Sequence, residues 1–450
     1  MENLRSTIFY SFITIIAVLL YGSTYNLEKD LTLEETNWMT FYCFSKYFSY
    51  PVCNDSFDQI TLTQNPGMVL ESYRNSRPLL FFLIWPFCTL GTWIISFFAS
   101  IIGFETNTID LGYYVTWLSY IILNFILIIS SGILLEKGLE DDGQNPLSLR
   151  WRLAVFTIII FEPVVKISVF SAIYQVFQVF MPISSILILS HVIKNFKFLT
   201  PRYFITLGIG ISLMILVYAS YFITFLALFT YLLTQAFKNF LNTKEISFTT
   251  TKYLRTCLSF SIGIMIPMTT WLISVNFVQD NLEIQEMNEN WKMFVWLIDA
   301  GREGMIPFFT EVGIKLHAFT YILWDQSKIT LISLSLIFIW SKVCGIGFKD
   351  LIYKFIENPF NNSLLILLFF TLLFWFSGGL YVWRYFRPIE FILAIILFQI
   401  SFIILRNSIK NSHKWGVGLI VGIYVSIYSA RTTLYVDLPM RYHHYFELMN

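Results

Sequence analysis

The chain runs to 450 residues with a formal net charge of +1; 56% of its residues are hydrophobic and only 13% are charged. Water-soluble domains carry about a quarter charged residues, whereas lipid tolerates an apolar exterior if each crossing segment satisfies its own backbone as a helix. The near-neutral balance leaves no basic excess for nucleic acid and no acidic tail, so composition points to an all-α, polytopic transmembrane helical bundle forming one integral membrane domain over 1–450.

Arg5 precedes an apolar stretch with no small-residue cleavage site after it, which reads as a retained first span or signal anchor. Apolar stretches of spanning or near-spanning length lie at 8–22, 78–103, 111–135, 153–173, 178–193, 204–219, 221–237, 257–278, 329–346, 363–382, 388–404 and 415–431. Two polar segments are long, 23–77 and 279–328, and the remaining connections are short, as between antiparallel neighbours. There is no internal repeat and no low-complexity linker.

Basic residues are held on the cytoplasmic side during insertion. They gather at Lys137, Arg150 and Arg152; Lys194, Lys197 and Arg202; Lys238, Lys244, Lys252 and Arg255; Lys342, Lys349 and Lys354; and Arg406, Lys410 and Lys414. Both long polar segments then face outward, together with the turn from Tyr381 to Arg387 and the C-terminal tail. One parity conflict arises, because three crossings before residue 136 would put the first basic loop outside. Segment 78–103, interrupted by Pro86 and Gly91, resolves it by entering the outer leaflet without crossing, which leaves about eleven spans. The rival solution is an outside N-terminus with all twelve crossing. Of the five cysteines, Cys43 and Cys53 lie in the first outer segment, where a loop-closing disulfide and two free thiols are both open readings.

Walker A, HExxH and GxSxG patterns are missing, and Gly208 with Gly210 lacks the third glycine of a dinucleotide loop. The chemistry-bearing residues gather instead at the outer ends of helices. Glu28, Asp30, Glu34 and Glu35, followed by Trp38, crowd four carboxylates together, as a cation pocket or a solvated loop would. Arg74 and Arg77 precede Pro78 and suit either a phosphate or lipid headgroups. Glu162, Pro163 and Lys166 interrupt a run of Ile, Val and Phe, where each charge costs about 2.5–3.5 kcal/mol to insert and so is paired or functional. Glu162 and Lys166 neutralise one another on a continuous helix, unless Pro163 starts a new one. Segment 291–317 reads as an interfacial helix and turn. Trp383, Arg384, Tyr385, Arg387 and Glu390 in an outer turn, and Arg431, Tyr442, His443 and His444 in the outer tail, put basic and aromatic residues on the side that usually lacks them.

In that order, an inside N-terminus, a first span, an outer loop with Glu34, Glu35 and Trp38, and interfacial helices ending at Arg77-Pro78 resemble the GT-C superfamily of membrane glycosyltransferases. The resemblance is architectural, covers the first 200 residues best, and departs in the Glu-Glu pair and the lack of a large soluble domain. It implies a polyprenyl-phosphate-linked sugar as donor and a lipid or glycan acceptor on the non-cytoplasmic face, in a multi-pass protein of the inner or plasma membrane. By the same resemblance Glu34, Glu35 and Glu162 are the catalytic acids, and Arg74, Arg77, Lys166, Arg384, Arg387 and Arg431 hold the substrate. A divalent cation is left open, with no metal ligand assigned. The competing reading is a transporter, flippase or polymerase of lipid-linked saccharides, which equally wants arginines and aromatics in a bilayer cavity; a transporter would show its charges at mid-membrane with access to both faces.

Overall fold

A computed structural model describes residues 2–24, 39–45, 48–53, 55–70, 78–102, 108–140, 148–243, 248–279, 295–378, 383–408 and 410–434. They form sixteen helices and one β-hairpin. The helices are α1 (Glu2–Thr24), α2 (Asp55–Gln64), α3 (Pro78–Ile102), α4 (Thr108–Glu140), α5 (Leu149–Ile160), α6 (Pro163–Ser168), α7 (Phe177–Asn195), α8 (Pro201–Val217), α9 (Phe222–Thr243), α10 (Phe248–Gln279), α11 (Val295–Glu303), α12 (Met305–Val343), α13 (Phe348–Glu357), α14 (Pro359–Gly378), α15 (Trp383–Asn407) and α16 (Asn411–Leu434). The hairpin pairs β1 (Met39–Ser45) with β2 (Phe48–Cys53).

This is the all-α membrane bundle that the composition demands. Among the described residues eight helices are long and apolar enough to cross a bilayer, and two shorter apolar helices, Ser6–Leu20 and Pro201–Val217, accompany them. Large side chains such as Phe87, Trp93, Ile102 and Phe277 stay exposed, which is the surface lipid would cover. Helices α8 and α10 meet backbone to backbone. A Cβ on Gly263 would lie 2.3 Å from the Ile205 carbonyl, and Ser212 Oγ donates to the Ile264 carbonyl at 2.9 Å. Small residues let these backbones meet where apolar attraction between helices is absent.

Contacts between helix ends sort the bundle into two faces. Tyr10 Oη donates to Glu136 at 2.6 Å, and Arg152 pairs with Glu136 at 2.9 Å, so the first turns of α1 and the α4–α5 junction share a face. Lys354 reaches Asn407 and Trp340 reaches the His413 carbonyl, which gathers the ends of α12 and α15 with the start of α16. These ends carry the basic clusters from which the charge rule expects the cytoplasmic side. Helix α1 leaves this face and α4 returns to it; between them α3 is an unbroken helix long and apolar enough to span.

Three expectations change. The stretch 153–173 is no single span, because α5 stops at Ile160 and α6 begins at Pro163. The long outer segment 279–328 is largely helix, since α12 extends unbroken from Met305 into the span at 329–346. Its charges pair one turn apart, Glu311 with Lys315 and Asp325 with Lys328, so the helix carries them self-neutralised. In the first outer segment a hairpin precedes the short helix α2, where interfacial helices alone were anticipated. Its register sets Cys43 opposite Ser49 and Cys53 opposite Met39. Four strand positions are about 13 Å, beyond the Cα separation a disulfide bridges.

Candidate functional site

Proline creates the centre of the site. Pro163 has no amide hydrogen and disfavours helical backbone at the preceding residue, so Glu162 adopts φ −65°, ψ 125° and Pro163 opens α6. The short α6 turns over, and its exposed carbonyls are caught by α4: Asn124 donates to Ser168 and Ser171 at 3.0 and 3.1 Å, and Trp117 Nε1 to Phe170 at 2.8 Å. Backbone that is irregular at this depth persists only when protein satisfies it in this way. Strand β2 packs against α6 and α1, so the hairpin of the first outer segment sits over this turn.

Glu162 is fully buried and meets Arg387 of α15, itself 1% exposed. Arg387 Nε bonds Glu162 Oε1 and Nη2 bonds Glu162 Oε2 at 2.9 Å. Nη2 also donates to Tyr428 at 3.0 Å, Nη1 donates to Gln326 Oε1 at 3.3 Å, and Nη1 pairs with Glu390 one turn further along α15. Tyr428 donates to Glu162 Oε2. Of the five N–H donors of the guanidinium, four are hydrogen-bonded to Glu162, Tyr428 and Gln326, and Nη1 also ion-pairs with Glu390. One cation thereby joins α12, α15, α16 and the α5–α6 break, with a planar fork suited to a carboxylate.

Two more cations flank this core. Lys166 Nζ donates to the Thr432 carbonyl at 2.8 Å, and half-buried Arg431 donates from Nη1 to the Gln326 carbonyl at 3.2 Å. Glu390 is the least satisfied member, because both of its oxygens are buried without a hydrogen-bond partner among the described residues, Oε2 being held only by its ion pair with Arg387. Thr330, whose hydroxyl lies 3.2 Å from that of Tyr424, neighbours its carboxylate. The cluster lies toward the non-cytoplasmic ends, since Arg387 stands twenty residues, about 30 Å of helix, above Asn407.

The structure therefore assembles Glu162, Lys166, Arg387 and Arg431, which the sequence singled out on separate grounds. Glu162 and Lys166 share no continuous helix, and the carboxylate's fork partner is Arg387. Arg384 occupies the first turn of α15, and its side chain is outside the described residues, as are Glu34, Glu35, Arg74 and Arg77. Sequence reasoning named Glu390 only as part of an outer turn and passed over Gln326, Thr330, Tyr424 and Tyr428. Arg387 and Glu390 at i, i+3 in an apolar run were the available signal, as were Tyr424 and Tyr428 at i, i+4. Among the described residues no three His, Cys, Asp or Glu side chains converge as metal ligands.

No family model, curated protein or solved structure matches this chain.

Proposed function

We propose that the chain is a membrane glycosyltransferase that moves a sugar from a polyprenyl-phosphate carrier to a lipid or glycan acceptor on the non-cytoplasmic face. The observation that supports this reading most is the convergence of Glu162, Lys166, Arg387 and Arg431 at the outward end of the bundle, beneath the hairpin of the first outer segment. A charge cluster at that depth suits a headgroup that enters from the outer leaflet. A transporter's coupling charges would sit at mid-depth with access to both faces.

In this reaction the bond between the anomeric carbon and the carrier phosphate breaks, and the phosphate leaves with the electron pair. The acceptor hydroxyl attacks and loses its proton to a carboxylate. Cations placed where charge develops stabilise the departing phosphate. Because Arg387 is already held by Glu162, Tyr428, Gln326 and Glu390, Lys166 and Arg431 are assigned the phosphate, and Arg387 acts by positioning Glu162 and the α6 turn. Glu34 or Glu35 is assigned the base, on the GT-C resemblance. A divalent cation remains compatible with these acids.

The test is transfer by the purified protein in nanodiscs, using a panel of radiolabelled polyprenyl-phosphate sugars with membrane-lipid acceptors. Transfer is expected from at least one donor, with Glu34→Gln/Glu35→Gln and Arg431→Ala each reducing it by an order of magnitude or more. Undiminished transfer in the double glutamine variant removes that pair from the mechanism. Saccharide movement across the membrane without transfer would replace the reading with transport.

A further inference from the structure

The cytoplasmic face carries a second assembly that the proposed reaction leaves unused. Helix α12 ends in a tight turn at Gly345, whose φ of +77° suits a residue without a side chain. Gly345 N donates to the Lys342 carbonyl at 3.0 Å and Ile346 N to the Ser341 carbonyl at 2.9 Å, the paired bonds that close a helix and redirect the chain. The turn delivers α13 across the ends of its neighbours. Phe338 and Phe348 bring their rings to 5.5 Å, Lys354 Nζ reaches Asn407 Oδ1 at 2.7 Å, and Trp340 Nε1 reaches the His413 carbonyl at 3.1 Å.

Helix α13 is two-sided. Leu351 and Phe355, one turn apart, are buried against the bundle, whereas Tyr353 and Ile356 are 68% and 46% exposed. Exposed cations surround it: Lys342, Lys349 and Lys354 on one side of the junction, Arg406, Lys410 and Lys414 on the other. The exposed acids of α13 are Asp350 and Glu357. Trp415, 75% exposed, follows at the start of α16. An amphipathic helix with aromatic and aliphatic side chains beside a cationic rim is suited to headgroup depth, its apolar flank among acyl chains and its lysines among phosphates.

We propose that α13, with the adjoining ends of α12, α15 and α16, forms a binding site for anionic phospholipid of the cytoplasmic leaflet. The excess of cations over acids selects an anionic headgroup over a zwitterionic one, and the exposed Tyr353, Ile356 and Trp415 select a lipid over a soluble phosphate. The site is independent of the glycosyltransferase reading.

Native mass spectrometry of the full chain released from nanodiscs of 70:30 phosphatidylcholine to phosphatidylglycerol measures which lipid stays bound, and thermal unfolding in the same discs measures the linkage. The wild type is expected to retain phosphatidylglycerol several-fold over its share of the bilayer and to melt higher than in pure phosphatidylcholine. Lys349→Gln/Lys410→Gln/Lys414→Gln should abolish both effects while matching the wild-type melting temperature in pure phosphatidylcholine; Lys354 is spared because it bonds Asn407. Retention of the two lipids in their bulk ratio by the wild type, or unchanged preference in the triple variant, overturns the proposal. Should the triple variant fail to fold, rising salt must lower the wild-type preference for phosphatidylglycerol, and a salt-insensitive preference overturns the proposal equally.

Discussion

Two ionic clusters stand at opposite ends of the same bundle and differ in how they meet water. At the cytoplasmic end Arg152 pairs with Glu136 at 2.9 Å and Glu140 at 3.6 Å, with its side chain 28% exposed. At the outer end Arg387 pairs with Glu162 and Glu390, with all three side chains sealed. Each arginine serves two carboxylates, and each cluster includes a tyrosine: Tyr10 for Glu136, Tyr428 for Glu162. The inner cluster can exchange a lost partner for water; the outer one cannot. Pairing chemistry alone therefore says little about consequence, which burial and the number of joined elements decide.

The sharpest way to break the comparison is Arg387→Ala, which leaves two buried carboxylates without their cation. It should cost about 3–5 kcal/mol, the range for removing one partner of a buried pair. Reversible unfolding in mixed micelles checks this, and Arg387→Lys should recover little, because an ammonium cannot span both Glu162 oxygens as the fork does. A loss near that of an exposed pair would show that water reaches the site.

Next come the carboxylates themselves. Glu162→Gln removes the charge gripped by two guanidinium nitrogens, whereas Glu390→Gln alters a group whose two oxygens have no hydrogen bond among the described residues. Glu162→Gln should therefore destabilise more, by about 1–3 kcal/mol, the scale for a buried group stripped of its charge-assisted bonds. Equal losses measured side by side would contradict the asymmetry. Tyr428→Phe should follow at about 1–2 kcal/mol, since it removes one donor to Glu162 and one acceptor from Arg387.

The smallest effects belong to the cytoplasmic cluster. Arg152→Ala is expected to cost about 0–1 kcal/mol, as part-exposed pairs do, and its effect should shrink further in high salt. The same unfolding measurement applies, and a salt-insensitive loss as large as that of Arg387→Ala would erase the contrast between the two ends.

Much of the architecture was legible because lipid imposes it locally. Apolar length and the placement of Lys and Arg depend on composition within one segment, so the helical bundle and its two faces follow from residues such as Lys137, Lys349 and Lys410 without tertiary knowledge. The break at Glu162-Pro163 was readable for the same reason, since proline acts on the residue beside it. The hairpin at 39–53 was not, because its strands are short and carry aromatic residues that suit helix ends equally well.

What the sequence by itself determined was that Glu162 and Lys166 are too costly to sit in lipid unpaired, whereas Arg387 and Arg431 read only as cations of an outer turn and tail. Which partner each one takes was decided only by the fold. Glu162 and Arg387 lie 225 positions apart, and Tyr428 and Gln326 complete the cluster from two further helices. No local pattern encodes such a meeting, because it depends on how helices pack around one another. The desolvation cost of a buried charge is a property of a residue and its depth, whereas its satisfaction is a property of the whole bundle.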